Sequence, residues 1–225
     1  MIPTLSLEHE LLREHPLVIA CDEVGRGALA GPVSVGATVV DAAMLDACAG
    51  AIPEGLKDSK LVTERRRPEL AARAAAWVTR SAVGTASPDE IDARGIIAAL
   101  GTAAARALGE LAAQGVDVGA AIVILDGSHD YITPQWPGPI AVRPVVKADR
   151  DCASASAASI IAKVARDTHM LELHEALPVY AWDRNKGYGS AAHREAIREH
   201  GVSEHHRRTW VATEVYQPAA LFASP

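Results

Sequence analysis

Aromatic residues make up only 4% of this 225-residue chain, and phenylalanine occurs once. The core must therefore be built mainly from Ala, Val, Ile and Leu, a palette that suits helices packed on a sheet. Cysteine is scarce as well: Cys21, Cys48 and Cys152 are odd in number and lack the close pairs of a zinc site or a disulfide framework. A reducing, cytoplasmic setting is the expectation. No run approaches the roughly 20 apolar residues that span a bilayer, and the N-terminus carries early charges. A soluble monomer with no membrane partner is expected. Glycine (17) and proline (13) are too few and too scattered for a fibrous chain, while 49% hydrophobic and 22% charged residues exclude a disordered one. The net charge of −6 speaks against a general polyanion-binding coat but leaves room for a local basic groove.

What is present is a succession of short apolar runs. Residues 5–13 are amphipathic, residues 17–21 form a run short enough for a buried strand, and residues 32–40 alternate small with branched side chains across a glycine turn. A helix is predicted from residue 64 to about residue 76, and a third strand over 77–83. Ser87 as N-cap and Pro88 at the first helical position open a helix running to about Ala113, interrupted at Gly95 or Gly101. Residues 121–125 and 140–146 predict two further strands. A long small-residue helix over 152–174 and shorter helices from Ala191 onward follow. This order predicts an α/β fold with one central, mixed, five-stranded sheet flanked by helices.

Three of these strands end on acids: Asp22-Glu23, Asp126, and Asp149 after Lys147. Strand ends are where open α/β sheets hold ligands. Any one acid alone is as well read as a helix cap or a solvated loop charge. Four carboxylates held together would repel and partly neutralise unless cations occupied the site, and an all-oxygen set suits Mg²⁺ or Mn²⁺ rather than Zn²⁺. A two-metal phosphodiesterase site uses such a set. Gly25-Arg26-Gly27 follows the first pair, and a Val-rich strand rather than a helix comes next, which excludes a dinucleotide-binding loop. The loop is either a close backbone contact for a phosphate or sugar, or a tight turn whose Arg26 pairs with a nearby acid.

With Asp22-Glu-Val-Gly-Arg-Gly27 and Leu29-Ala-Gly-Pro-Val33, the chain resembles the ribonuclease HII family. Further matches run in order: Asp58-Ser-Lys60, Glu90-Ile-Asp92 with Gly95, Leu125-Asp-Gly127, Lys147-Ala-Asp149, the segment from Ser156 to Asp167, Gly187-Tyr-Gly-Ser190 with His193, and His206-Arg-Arg-Thr-Trp210. The resemblance spans residues 17–210. It implies a ribonuclease H-like fold with a C-terminal helical extension, and cleavage of RNA in RNA/DNA hybrids and at single ribonucleotides embedded in duplex DNA, leaving 3′-hydroxyl and 5′-phosphate ends. It also implies catalytic, metal-binding carboxylates at Asp22, Glu23, Asp126 and Asp149, with Mg²⁺ or Mn²⁺ as cofactor. Gly25, Arg26 and Gly27 are implied to meet the ribose 2′-hydroxyl and nearby backbone, and Tyr188 the neighbouring sugar. Lys60, Ser156, Ser159 and Lys163 lie inside matched motifs and complete the expected substrate-binding set, with helix packing by small residues as the alternative reading of Ser156 and Ser159. A single catalytic domain over 1–225 is expected, with its core over 17–175, the extension over 176–213 and a tail over 214–225.

The chain departs from the family at Ala148, where a glycine is usual before the fourth acid, and at Asp58-Ser-Lys-Leu-Val-Thr63, which has one basic residue fewer than the usual motif. Lys147, Arg166, Lys186, Arg207 and Arg208 are further candidates for phosphate contacts. His193, His205 and His206 are irregularly spaced and are expected on the surface or groove rather than on zinc. Cys152 is expected to pack. The tail 216–222 vaguely resembles peptides that dock on sliding clamps. A phosphohydrolase of small esters would need only the carboxylates, and a non-catalytic binding module would need neither them nor the glycine loop.

Overall fold

The computed structural model describes residues 2–216. Five strands, β1 (Leu17–Val24), β2 (Val33–Asp41), β3 (Arg80–Ala86), β4 (Ile122–Asp126) and β5 (Ala141–Val145), form one sheet in the order β3-β2-β1-β4-β5. The helices among the described residues are α1 (Ser6–Leu11), α2 (Ala42–Ala47), α3 (Arg67–Trp77), α4 (Pro88–Arg94), α5 (Ile96–Ala113), α6 (Ala148–Asp151), α7 (Ala153–Ala176), α8 (Trp182–Asn185), α9 (Ala191–His200) and α10 (Arg208–Glu214). β1 and β2 pair antiparallel, as do β2 and β3, whereas β1 with β4 and β4 with β5 are parallel. The mixed sheet is the one the sequence predicts.

Side-chain alternation on β1 divides the core. Ile19 and Cys21 pack beneath α5, while Val18 and Ala20 face α3 and α7. Gly36, paired with Asp22 across the sheet, lets α7 come close: a Cβ there would lie 2.4 Å from the Ala158 carbonyl oxygen. That approach brings Ser159 beside the end of β1. On the other face α5 buries Leu100, Leu108 and Leu111. Its 18 residues have the length and mean apolarity of a membrane span, although Gly101, Thr102, Arg106, Gly109 and Glu110 interrupt the apolar run. Its larger side chains belong to the core under β2 and β3.

Helix ends follow local chemistry. Ser87 and Glu90 form the capping box of α4, and Gly95, at φ 78°, separates α4 from α5, so the break falls there and not at Gly101. β3 begins three residues later than expected because Trp77 completes α3 and packs with Met44 and Ile52. The N-terminal segment docks on the start of α7: Glu8 is fully buried, and its Oε1 accepts from the Ser154 N–H at 2.9 Å and the Ser154 hydroxyl at 2.6 Å. The C-terminal helices are joined to α4 by Asp92, whose carboxylate accepts the N–H groups of Arg208 at 2.7 Å and Thr209 at 3.2 Å.

Candidate active site

Asp22 and Glu23 are successive residues of β1 and begin on opposite faces of the sheet. Asp22 faces α7, where the Ser159 hydroxyl lies beside it and donates to the Ser59 hydroxyl at 3.0 Å, and Glu23 faces the Tyr131 hydroxyl, which donates to Glu23 Oε2 at 3.5 Å. At the end of the sheet they still converge: one carboxylate oxygen each from Asp22, Glu23 and Asp126 lies within 4.8 Å of the others. Asp149 approaches from the side. It sits on the single turn of α6 rather than at the end of β5, its N–H donates to Asp126 Oδ1 at 3.2 Å, and its Oδ2 lies 3.5 Å from the Lys60 ammonium. The left-handed turn that delivers it is at Lys147, φ 65°, so the alanine at 148 adopts ordinary helical geometry. Replacement of the usual glycine there therefore carries no backbone strain.

Crowding shows in the acidities. Burial raises the Asp22 carboxyl well above its ordinary value, the Ser159 hydroxyl opposes this, and Asp126, Glu23 and Asp149 push it further up. Asp126 is raised for the same reasons, burial first and then Asp149 and Glu23, against the N–H donors of Asp149 and Ala148. Burial lowers the Lys60 ammonium, but Asp58, Asp149 and Asp22 together hold it above its ordinary value. Cys21 and Cys152 are pushed up to about 12, chiefly by burial, and are packed thiols.

A groove of about 490 Å³ opens beside the acids, with Gly25, Arg26 and Gly27 on its wall together with Lys60, Ser159, Lys163 and Tyr188. Lys60 is held by a short turn over Ser59–Leu61: Asp58 caps it, and the Arg67 Nε donates to the carbonyls of Ser59 and Val62 at 3.2 and 3.0 Å. Tyr188 is 36% exposed, with the Lys163 ammonium 5.8 Å and the Arg166 guanidinium 5.5 Å from its ring centroid. Lys163 itself pairs with Asp167 at 2.6 Å. Arg26 pairs with Glu23 at 3.3 Å, the ion pair foreseen for a tight turn, while its loop also lines the groove.

Several expected contacts are elsewhere. Ser156 is fully buried and its hydroxyl donates to the Asp149 carbonyl at 2.7 Å, so it supports α6 instead of reaching the groove. Arg166 and Arg207 are buried beneath the glycine loop and donate to backbone carbonyls, as a free phosphate contact could not. Lys186 is buried against Glu64 at 2.8 Å. His193 and His206 are not surface groups: both are fully buried, 3.2 Å apart, and the Trp182 indole donates to His193 Nε2 at 3.0 Å. His193 Nδ1 in turn bonds the Tyr188 carbonyl at 2.9 Å. Tyr131 and Arg67 escape sequence reasoning, for nothing in their neighbourhoods marks them as partners of Glu23 or of the Lys60 turn. The tail beyond Tyr216 lies outside the described residues.

A mixed five-stranded sheet whose strand ends gather carboxylates, with helices on both faces, defines a nuclease of the ribonuclease H-like class. The ribonuclease HII family model matches residues 19–213. Ribonuclease HII of Streptomyces coelicolor is 45% identical over 210 residues, covering 92% of this chain and 83% of the relative. Among solved structures, ribonuclease H2 from Pyrococcus horikoshii OT3 is similar with a TM-score of 0.64 and 26% identity over 90% of this chain and 98% of that one. The PCNA:RNase HII complex from Archaeoglobus fulgidus is similar with a TM-score of 0.65 and 25% identity, covering 86% and 95%. The chain belongs to the ribonuclease HII family, endonucleases that hydrolyse RNA in RNA/DNA hybrids.

Proposed function

We propose that this protein cleaves the RNA strand of RNA/DNA hybrids and also cuts at single ribonucleotides embedded in duplex DNA, leaving 3′-hydroxyl and 5′-phosphate ends, in a reaction that depends on divalent cations. One observation carries this reading: the carboxylate cluster and the Gly25-Arg26-Gly27 loop share one groove. A phosphate-ester hydrolase without a sugar requirement would need only the first.

The residues present fit Mg²⁺ or Mn²⁺. The donor set is all oxygen, and the pKa values of Asp22 and Asp126 are held above their ordinary values by burial and by neighbouring carboxylates, a cost that a divalent cation relieves. Asp22, Glu23 and Asp126 would hold it, with Asp149 beside them. Bound cations of this kind activate water and stabilise the leaving oxygen of an in-line displacement.

The protein's own groups do the rest. Lys60 balances the acids at the groove edge and is available to the scissile backbone. Ser159 opposes in part the rise that burial imposes on the Asp22 carboxyl. A side chain at Gly27 would stand in open space at the groove wall, so its absence lets a sugar meet the loop backbone and be tested for a 2′-hydroxyl, the group by which RNA differs from DNA. Tyr188 offers a half-exposed aromatic face to the adjoining sugar. The test is incubation with a duplex containing one ribonucleotide, beside all-DNA and all-RNA duplexes, with and without chelator. Cleavage only of the ribonucleotide duplex, abolished by chelator, is expected; cleavage of small phosphate esters in its place would overturn the proposal.

A further inference from the structure

Two buried guanidinium groups lie behind the loop from Gly25 to Pro32, and neither has a carboxylate within ion-pair distance among the described residues. Arg166 donates to the carbonyls of Pro32 at 2.8 Å, Lys186 at 2.9 Å and Ala30 at 3.0 Å. Arg207 donates through Nη2 to the Gly25 carbonyl at 2.6 Å, through Nη1 to the Arg26 carbonyl at 2.8 Å, and through Nε and Nη2 to the Gly31 carbonyl at 3.2 Å each. Its backbone N–H also donates to the Leu29 carbonyl at 2.8 Å.

The direction of those carbonyls fixes something else. In a trans peptide the C=O of one residue and the N–H of the next share a plane and point opposite ways, and the described peptide bonds are all trans. With the Gly25 and Arg26 carbonyls drawn down onto Arg207, the N–H groups of Arg26 and Gly27 are turned away from it. Both belong to residues on the groove wall, and neither donates to any group of the described chain. Gly25 is held at φ 82°, and a Cβ there would meet Arg166 Nε at 2.1 Å, so the loop rests directly on the second guanidinium.

We propose that Arg207 is a positioning residue for recognition of the ribose 2′-hydroxyl: by anchoring the carbonyls of Gly25 and Arg26, it aims the N–H groups of Arg26 and Gly27 into the groove as a fixed pair of donors. This rests on the sugar-sensing role given to the loop above. A planar guanidinium suits the task because three nitrogens in a rigid fork reach three carbonyls at set angles, whereas a lysine ammonium is a single point. Burial, with Arg166 adding repulsion, lowers the Arg207 pKa to about 9, which leaves it charged at neutral pH. The surrounding carbonyls and the Trp210 ring, 5.3 Å from its guanidinium carbon, supply its polar contacts.

The experiment compares Arg207→Lys and Arg166→Lys with the unaltered protein on two duplexes, one with a single ribonucleotide and one with a 2′-fluoro nucleotide at the same position. Fluorine is a poor acceptor for an N–H donor, so a wild-type preference for the hydroxyl duplex is expected. Equilibrium binding without divalent cations and kcat/KM with Mg²⁺ are both measured. Arg207→Lys is expected to lose about 10- to 100-fold in kcat/KM on the hydroxyl duplex, to bring the hydroxyl-to-fluoro ratio towards one in both measurements, and to keep its Mg²⁺ half-saturation. Arg166→Lys is expected to retain more of that ratio at a comparable fall in Tm. An equal loss on both duplexes with the ratio intact, or a ratio lost as fully in Arg166→Lys, overturns the assignment. If the wild type binds selectively but does not cleave, the proposed activity fails while the binding ratio still decides the role of Arg207. If the wild type has no selectivity, the inference falls as well.

Discussion

The Asp149 N–H donates to Asp126 Oδ1 at 3.2 Å, so a peptide of α6 rather than a second carboxylate occupies that side of Asp126. One carboxylate is thereby both a member of the acidic cluster and a backbone anchor for the next acid. An asparagine at 126 keeps a carbonyl oxygen for the anchor and loses only the charge. We expect Asp126→Asn to cut Mg²⁺-dependent cleavage on the order of 100-fold or more, with unchanged far-UV circular dichroism. Near-normal rates would remove Asp126 from the site.

The raised pKa of Asp22 has a consequence for stability. A carboxyl whose folded pKa lies above its unfolded one, ordinarily 3.8, adds stability that is complete below the unfolded value and is lost as pH rises through the folded value. Metal-free protein therefore loses this contribution towards neutral pH, and Asp22→Asn is expected to raise the metal-free Tm there. His206, lowered to about 4 chiefly by burial, acts in the opposite sense and loses its contribution as pH falls from 6.5 through that value. The difference between wild type and Asp22→Asn across a pH series in chelator isolates the carboxyl; a lower Tm in the variant at neutral pH contradicts it.

Tyr188 stands half-exposed over Lys163 and Arg166, with its carbonyl held by His193. Tyr188→Ala is expected to cost about 1–3 kcal/mol in transition-state binding at an embedded ribonucleotide, with metal titration unchanged. An unaltered kcat/KM rejects the contact, and a Tm loss matching the rate loss makes the tyrosine a packing group.

The tail from Tyr216 to Phe222 carries the sole phenylalanine and vaguely resembles peptides that dock on sliding clamps. Intact protein is expected to recover a sliding clamp in a pull-down, and a chain ending at Gln217 to lose it. Equal recovery by both disposes of the tail as a clamp-docking segment.

Periodicity and turn chemistry made most of the fold legible. The apolar runs before Asp22 and Asp126, the glycine loop and the Ser87 cap are all local signals, and the structure has them where they are read. Asp149 was harder, because its turn depends on a left-handed lysine that no propensity favours. The buried arginines were harder still. A basic side chain reads as solvated, and the carbonyls that hold Arg207 lie 176 to 182 positions away in the chain. His193 and His206 likewise find each other only after α9 and the following loop have folded onto α8.

Those separations also set a timetable for manufacture. A nascent chain completes β1 and the glycine loop 176 to 182 residues before it reaches Arg207, whose guanidinium holds the carbonyls of that loop. Until it emerges, the carbonyls of Gly25, Arg26 and Gly31 have water in place of their guanidinium, and contacts of such long range form slowly. The wall formed by Gly25, Arg26 and Gly27 is thus among the last parts of the molecule to take shape, and a chain that stops short of Arg207 carries Asp22 and Glu23 beside a loop without its anchor.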